Sequence, residues 1–296
     1  MSKDSQLAIV AGVDGSASAD SAARWAAAEA DLRNVDLRLL FTYQIPVVGH
    51  PEYECPPDFV DAMRIAGQAT LDRVAGEAAR VYPDLPIQQA LKEADARLAL
   101  VEESKRAGMT AVGTRGKGRV TEVLLGSVAL HLAAHGHSPV AVVPRSTHPA
   151  GGPILVGADG STNSHEALGF AFDEAAVRGA ELVAMLAWDE LSHQRFARRP
   201  VIHGAIDEEA GSVLDQQLAP WLAKYPEVPI RKVIYRGPPA AGLVQPEGRS
   251  GPEPQLIVVG SRGRGGLSGL VLGSTSQTVI IHSRCPVIIV RAGTTP

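Results

Sequence analysis

Cysteine is nearly absent from this chain: Cys55 and Cys285 are its only two, in unlike contexts. So few thiols exclude a disulfide framework and predict a reducing compartment. No apolar run is long enough for a signal-peptide core or a membrane span, and the first strand pattern begins within seven residues of Met1. The expected location is the cytoplasm. An excess of positive charge is lacking too, since the formal net charge is -4. Nothing electrostatic therefore favours nucleic acid or an anionic membrane as the main partner. What is present is globular: hydrophobic residues make up 45% and charged residues 20% of 296 residues. At ~100–200 residues per domain, that length predicts two domains.

Internal repetition organises the rest. Val13-Asp14-Gly15-Ser16 recurs as Ala158-Asp159-Gly160-Ser161, 145 residues later. Gly113-Thr114-Arg115-Gly116 recurs as Gly260-Ser261-Arg262-Gly263, and Leu125-Gly126-Ser127 as Leu272-Gly273-Ser274, both at an offset of 147. A duplicated domain explains this, with 1–148 as one copy, 149–296 as the other, and the joint in the Pro/Gly-rich stretch 148–153.

Each copy alternates short apolar strands with alanine-rich helical patterns. Strands are expected at 8–13, 37–43, 87–91, 110–113 and 140–143, and again at 154–158, 181–188, 230–235, 256–260 and 287–290. Helices are expected at 20–33, 58–82, 94–106 and 128–135, and at 165–178, 206–225 and 275–282. The first helix of each copy stops at Asn34 or Gly179, residues that tolerate the left-handed conformation. Three prolines and two glycines between Gln245 and Pro254 cut the second copy's third helix to about 240–244. Such alternation predicts an α/β fold: two tandem doubly wound domains, each with a five-stranded, mostly parallel sheet.

The chemical signal follows the fourth strand. Gly113, Gly116, Gly126 and Ser127 have the same spacing as Gly260, Gly263, Gly273 and Ser274. Glycines let backbone N–H groups approach phosphate oxygens, and the helix opening at Ser127-Val128 or Ser274-Thr275 offers free N–H groups and a positive dipole end. Glycines that merely shape a loop are the alternative, but two copies with identical spacing weigh against it. Asp14 and Asp159 have two readings, a ligand contact or the turn that leads a helix. Arg115, Lys117, Arg119, Arg262 and Arg264 either neutralise phosphate or are solvated loop charge.

These residues match the Gly-x2-Gly-x9-Gly-Ser/Thr signature, and over nearly its whole length the chain resembles ATP-binding universal stress proteins of the tandem two-domain type. The resemblance implies an adenine nucleotide alpha hydrolase-like fold. It also implies ATP with Mg2+ on its phosphates, and an internal pseudo-dimer of the two halves with a homodimer as a further possibility. It places Asp14 and Asp159, preceded by Val13 and Ala158, at the ribose. The backbone at Thr42 and Ala187 would face adenine, with Val112 and Val259 beside it. The second loop, Arg264 to Gly269, is nearer the family pattern. Glu122 sets a carboxylate where Gly269 has none, and Ala129 lacks the hydroxyl of Ser276.

Other chemistries fit less well. A dinucleotide fingerprint belongs after the first strand, and Gly-x4-Gly-Lys-Ser/Thr is absent. His131, His135 and His137 invite a metal reading, but Thr278 replaces His131 in the other copy. Tyr43 and Trp188 are repeat equivalents and are read as packing or pocket-wall residues. No residue presents itself as a base that positions water at a phosphate. The function expected is a nucleotide-dependent stress-response regulator. The alternatives are a slow ATP-hydrolysing enzyme or an interaction protein with empty sites.

Overall fold

The computed structural model describes residues 7–45, 56–116, 125–145, 151–188, 203–244, 252–263 and 272–293. The chain divides into two compact units, Met1–Arg145 and Ser146–Pro296. Unit 1 runs β1 (Ile9–Gly12), α1 (Ala17–Arg33), β2 (Leu37–Tyr43), α2 (Pro57–Val81), β3 (Ile87–Glu93), α3 (Ala96–Ser104), β4 (Met109–Gly113), α4 (Ser127–His135) and β5 (Val140–Val143). Its strands lie in the order β3-β2-β1-β4-β5, all parallel. Unit 2 repeats this as β6 (Ile154–Ala158), α5 (Thr162–Arg178), β7 (Leu182–Trp188), α6 (His203–Lys224), β8 (Ile230–Arg236), α7 (Pro239–Val244), β9 (Leu256–Gly260), α8 (Ser274–His282) and β10 (Val287–Val290). Its order is β8-β7-β6-β9-β10, again all parallel.

From β1 the chain builds outward through β2 and β3, then returns to add β4 and β5 on the other side. The strand order therefore reverses between β1 and β4, and in unit 2 between β6 and β9. In open α/β sheets, ligands bind outside the carboxyl ends of the strands at such a reversal. Both expected glycine loops leave the sheet there.

The first helices start three residues earlier than the alanine pattern predicts. Ser16 and Ser161 are their N-caps, and the hydroxyls accept from Ala19 N and Ser164 N at 3.2 Å each. Both helices end in the left-handed conformation, Asn34 at φ 53° and Gly179 at φ 59°. Small residues on the inner face of α1, including Ala22, Ala26 and Ala30, are fully buried and let the helix lie close on the sheet. In unit 2 the third helix is short, as the prolines require, and begins at Pro239 because a helix's first position loses nothing by lacking an N–H. Residues 245–251 of that proline-rich segment lie outside the described residues.

One repeated core feature is invisible to hydrophobic patterning. Glu29 and Glu174 are buried, and each pairs with an arginine one turn on, Arg33 and Arg178. Burial of a carboxylate is tolerable only with such a partner.

Candidate functional site

In unit 1 the site is built by the turn after β1 and the loop after β4. Gly15, at φ 79°, turns the chain so that Ser16 N donates to Asp14 Oδ1 at 2.9 Å. The helix-leading turn is thus real, and it occupies one oxygen of that carboxylate. The other, Oδ2, lies where a side chain at Gly116 would begin: a Cβ there would stand 2.5 Å from it. Ser16 Oγ donates to Arg115 O at 3.4 Å, and Gly126 N donates to Thr114 O at 2.8 Å. Asp14, Gly116, Gly126 and Ser127 therefore share one place, at the carboxyl ends of β1 and β4. Val13 N is held by Leu40 O at 2.9 Å, and Thr42 stands farther along β2, opposite Lys92 of β3. Val112 is buried in β4.

Gly113 also has a packing role. A Cβ on it would meet the backbone of Ser18 in α1, 2.6 Å from both its carbonyl carbon and oxygen. Its missing side chain is what lets α1 seat against β4. Gly260 does the same in unit 2, where Asn163 stands 3.0 Å away.

Unit 2 reproduces the site with other side chains. Ser161 N donates to Asp159 Oδ1 at 2.9 Å, and a Cβ on Gly263 would intrude on Asp159 Oδ2. Asp159 N donates to Ser164 Oγ at 2.9 Å, and Gly273 N to Ser261 O at 2.8 Å. Ala158 and Val259 are buried, and Ala187 lies one residue before the end of β7. The Ser276 hydroxyl donates to Gly260 O at 2.7 Å and ties α8 to the end of β9. Lys117, Gly118, Arg119, Val120, Thr121 and Glu122, and Arg264 to Gly269, lie outside the described residues.

The arrangement fits a phosphate chain. Gly126 and Gly273 cap α4 and α8 with no side-chain hydrogen bond. That leaves the N–H groups of Ser127, Val128 and Ala129, and of Ser274, Thr275 and Ser276, without intrahelical acceptors. Ser261 Oγ, one residue past Gly260, is fully buried and has no hydrogen-bond partner among the described residues. Its unit 1 counterpart, Thr114 Oγ1, is 3.3 Å from Ser18 Oγ. A buried hydroxyl left unpaired at a loop rich in N–H donors marks a place where a polar ligand can complete the bonding.

Among the described residues no group of three or more His, Cys, Asp and Glu could hold a metal ion. The His131 and His135 rings lie 4.3 Å apart, and burial, then His135, lower the His131 pKa. No helix among the described residues is long and apolar enough to cross a membrane.

Sequence reasoning missed two participants. Ser18 accepts from Arg115 N and Asn163 donates to Arg262 O, each from the first helix of its unit to the glycine loop. The 145-residue offset pairs Ser18 with Asn163, so the repeat contained a signal for that position.

Comparison with known proteins identifies the family and the fold. The family model described as "Universal stress protein family" matches residues 8–144 and again 152–291. Universal stress protein Rv2623 of Mycobacterium tuberculosis is 38% identical over 301 residues, covering 99% of each chain. Universal stress protein Rv2005c of the same species is 36% identical over 294 residues, covering 97% of each. The crystal structure of a universal stress protein from Archaeoglobus fulgidus superposes with a TM-score of 0.68 over 97% of both chains at 20% identity, a likeness of fold. The chain belongs to the universal stress protein family and carries two tandem copies of its domain.

Proposed function

We propose that each unit holds one ATP, with Mg2+ on its phosphates, and that the chain is a cytoplasmic, nucleotide-dependent regulator of the stress response. One observation carries this reading. In both units the glycine loop, an uncapped helix N-terminus and the Asp14 or Asp159 carboxylate come together at the reversal of strand order. Backbone N–H groups of Gly116, Gly126, Ser127, Val128 and Ala129, and of Gly263, Gly273, Ser274, Thr275 and Ser276, hold the phosphates, Asp14 and Asp159 the ribose. Thr42 with Val112, and Ala187 with Val259, border the adenine. The bound nucleotide supplies charge and a change of occupancy rather than a reaction. We place the domain boundary between residues 148 and 149.

Calorimetric titration of the purified chain should give two ATP per polypeptide. Gly126→Val brings a branched side chain against Thr114 O, 3.2 Å from the Cβ position, and Gly273→Val does so against Ser261 O, at 3.4 Å. Each should remove one site. A folded double variant that still takes up two ATP would overturn the assignment.

A further inference from the structure

Helix α4 carries two histidines one turn apart. His131 and His135 are separated by four positions, so both side chains leave the same face of the helix. Their ring centroids lie 4.3 Å apart with the planes tilted by 30°. Two imidazoles on one ion, with metal–nitrogen bonds of about 2.1 Å, place their centroids roughly 4.5–5 Å apart. A small side-chain rotation therefore takes this pair from contact to chelation. His135 is exposed and His131 half-buried, so an ion can reach them from solvent.

The backbone prepares one of the two rings. His135 Nδ1 donates to His131 O at 3.0 Å, because a carbonyl oxygen only accepts. In the neutral ring the lone pair is then on Nε2, the atom that ligates, and the carbonyl holds the ring in place. The pair also ends α4, where the negative end of the helix dipole favours a cation. Asp95 and Arg97 of α3 act on His131 with opposite signs and are paired with each other at 2.8 Å, so neither alone sets the local charge. No third His, Cys, Asp or Glu completes a set among the described residues, which leaves the remaining coordination to water.

Unit 2 supplies a control within the same chain. At the 147-residue offset His135 corresponds to His282, but His131 corresponds to Thr278. The Thr278 hydroxyl donates to Ser274 O at 2.9 Å, and His282 is the one histidine of α8.

We propose that His131 and His135 together bind a divalent transition-metal ion such as Zn2+ through their ring nitrogens, in unit 1 and not in unit 2. Imidazole suits Zn2+ and Cu2+, whereas Mg2+ is held by oxygen ligands, so this site is separate from any ion carried on a phosphate chain. The ion staples the last turn of α4. Because it binds the folded helix, it stabilises unit 1.

The test is calorimetric titration of the full chain with Zn2+, without nucleotide or affinity tag and with Mg2+ in excess. His131→Thr, which copies the unit 2 residue, should weaken one Zn2+ by at least about tenfold, since loss of a group that only orients a ligand already costs about that much. Thr278→His should add one Zn2+ by completing a pair with His282, and it leaves α4 untouched. A Zn2+ stoichiometry and affinity unchanged in both variants would overturn the site, as would failure of the wild-type chain to bind Zn2+ at all.

Discussion

Gly113 and Gly116 are three positions apart, at the end of β4 and in the loop after it, yet a methyl group on each would meet a different obstacle. At Gly113 the obstacle is the α1 backbone, which cannot move without unseating the helix; at Gly116 it is the Asp14 carboxylate, the end of a side chain. Gly113→Ala is therefore expected to destabilise unit 1 by about 1–3 kcal/mol, the usual cost of overpacking. Gly116→Ala should change stability much less but lower ATP affinity, because it displaces the carboxylate proposed to hold the ribose. Urea unfolding alongside nucleotide titration would separate the two, and equal stability losses would show that both glycines serve packing alone. The spacing of the motif was legible in the sequence. The division of labour within it was not, because it depends on how near α1 lies to β4.

Among the elements, the two first helices show what local sequence encodes. Their ends were readable from Asn34 and Gly179, whereas their starts were not: in Ser-Ala-Ser-Ala-Asp several residues could cap a helix, and the geometry selects Ser16. Ser16→Ala should cost unit 1 about 1 kcal/mol through the lost cap, measurable as a lowered unfolding midpoint. Ser161→Ala should do the same in unit 2. The ion pairs within these helices escaped an apolar pattern altogether. Glu174→Ala should cost about 3–5 kcal/mol, since it strands Arg178 in a largely buried place. Helix α3 adds a dependence on pH. Its cap, Asp95, accepts from Arg97 N and Leu98 N, and hydrogen bonding from the Arg97 side chain holds its pKa at about 2. A depressed carboxylate pKa stabilises the fold fully above the unfolded value of about 4, and the gain is lost as pH falls through about 2. Exchange protection of the α3 amides should follow that course. In Asp95→Asn the dependence should vanish. Register effects, such as the pairing of Val290 with Gly260, lay beyond any local reading because they join strands about 30 residues apart.

At the scale of the whole molecule, duplication made both the two-domain organisation and the parallel sheets readable, since each boundary in one copy could be checked against the other. It also bears on whether bound ATP is consumed. A catalyst for phosphoryl transfer to water needs a group that orients the water, and such a group would be expected at matching positions if both copies had kept it. The matching carboxylates, Asp14 and Asp159, each give one oxygen to the turn that starts a helix, accepting from Ser16 N and Ser161 N. The other oxygen lies against the backbone of Gly116 or Gly263, within the proposed nucleotide site. ATP turnover should accordingly fall far below the ~10 per second typical of enzymes. It should not depend on either carboxylate beyond their effect on affinity. The decisive measurement is single-turnover hydrolysis at saturating ATP in the wild type, Asp14→Asn and Asp159→Asn. A fast rate abolished in either variant at full occupancy would identify that carboxylate as a catalytic base and make the chain an enzyme.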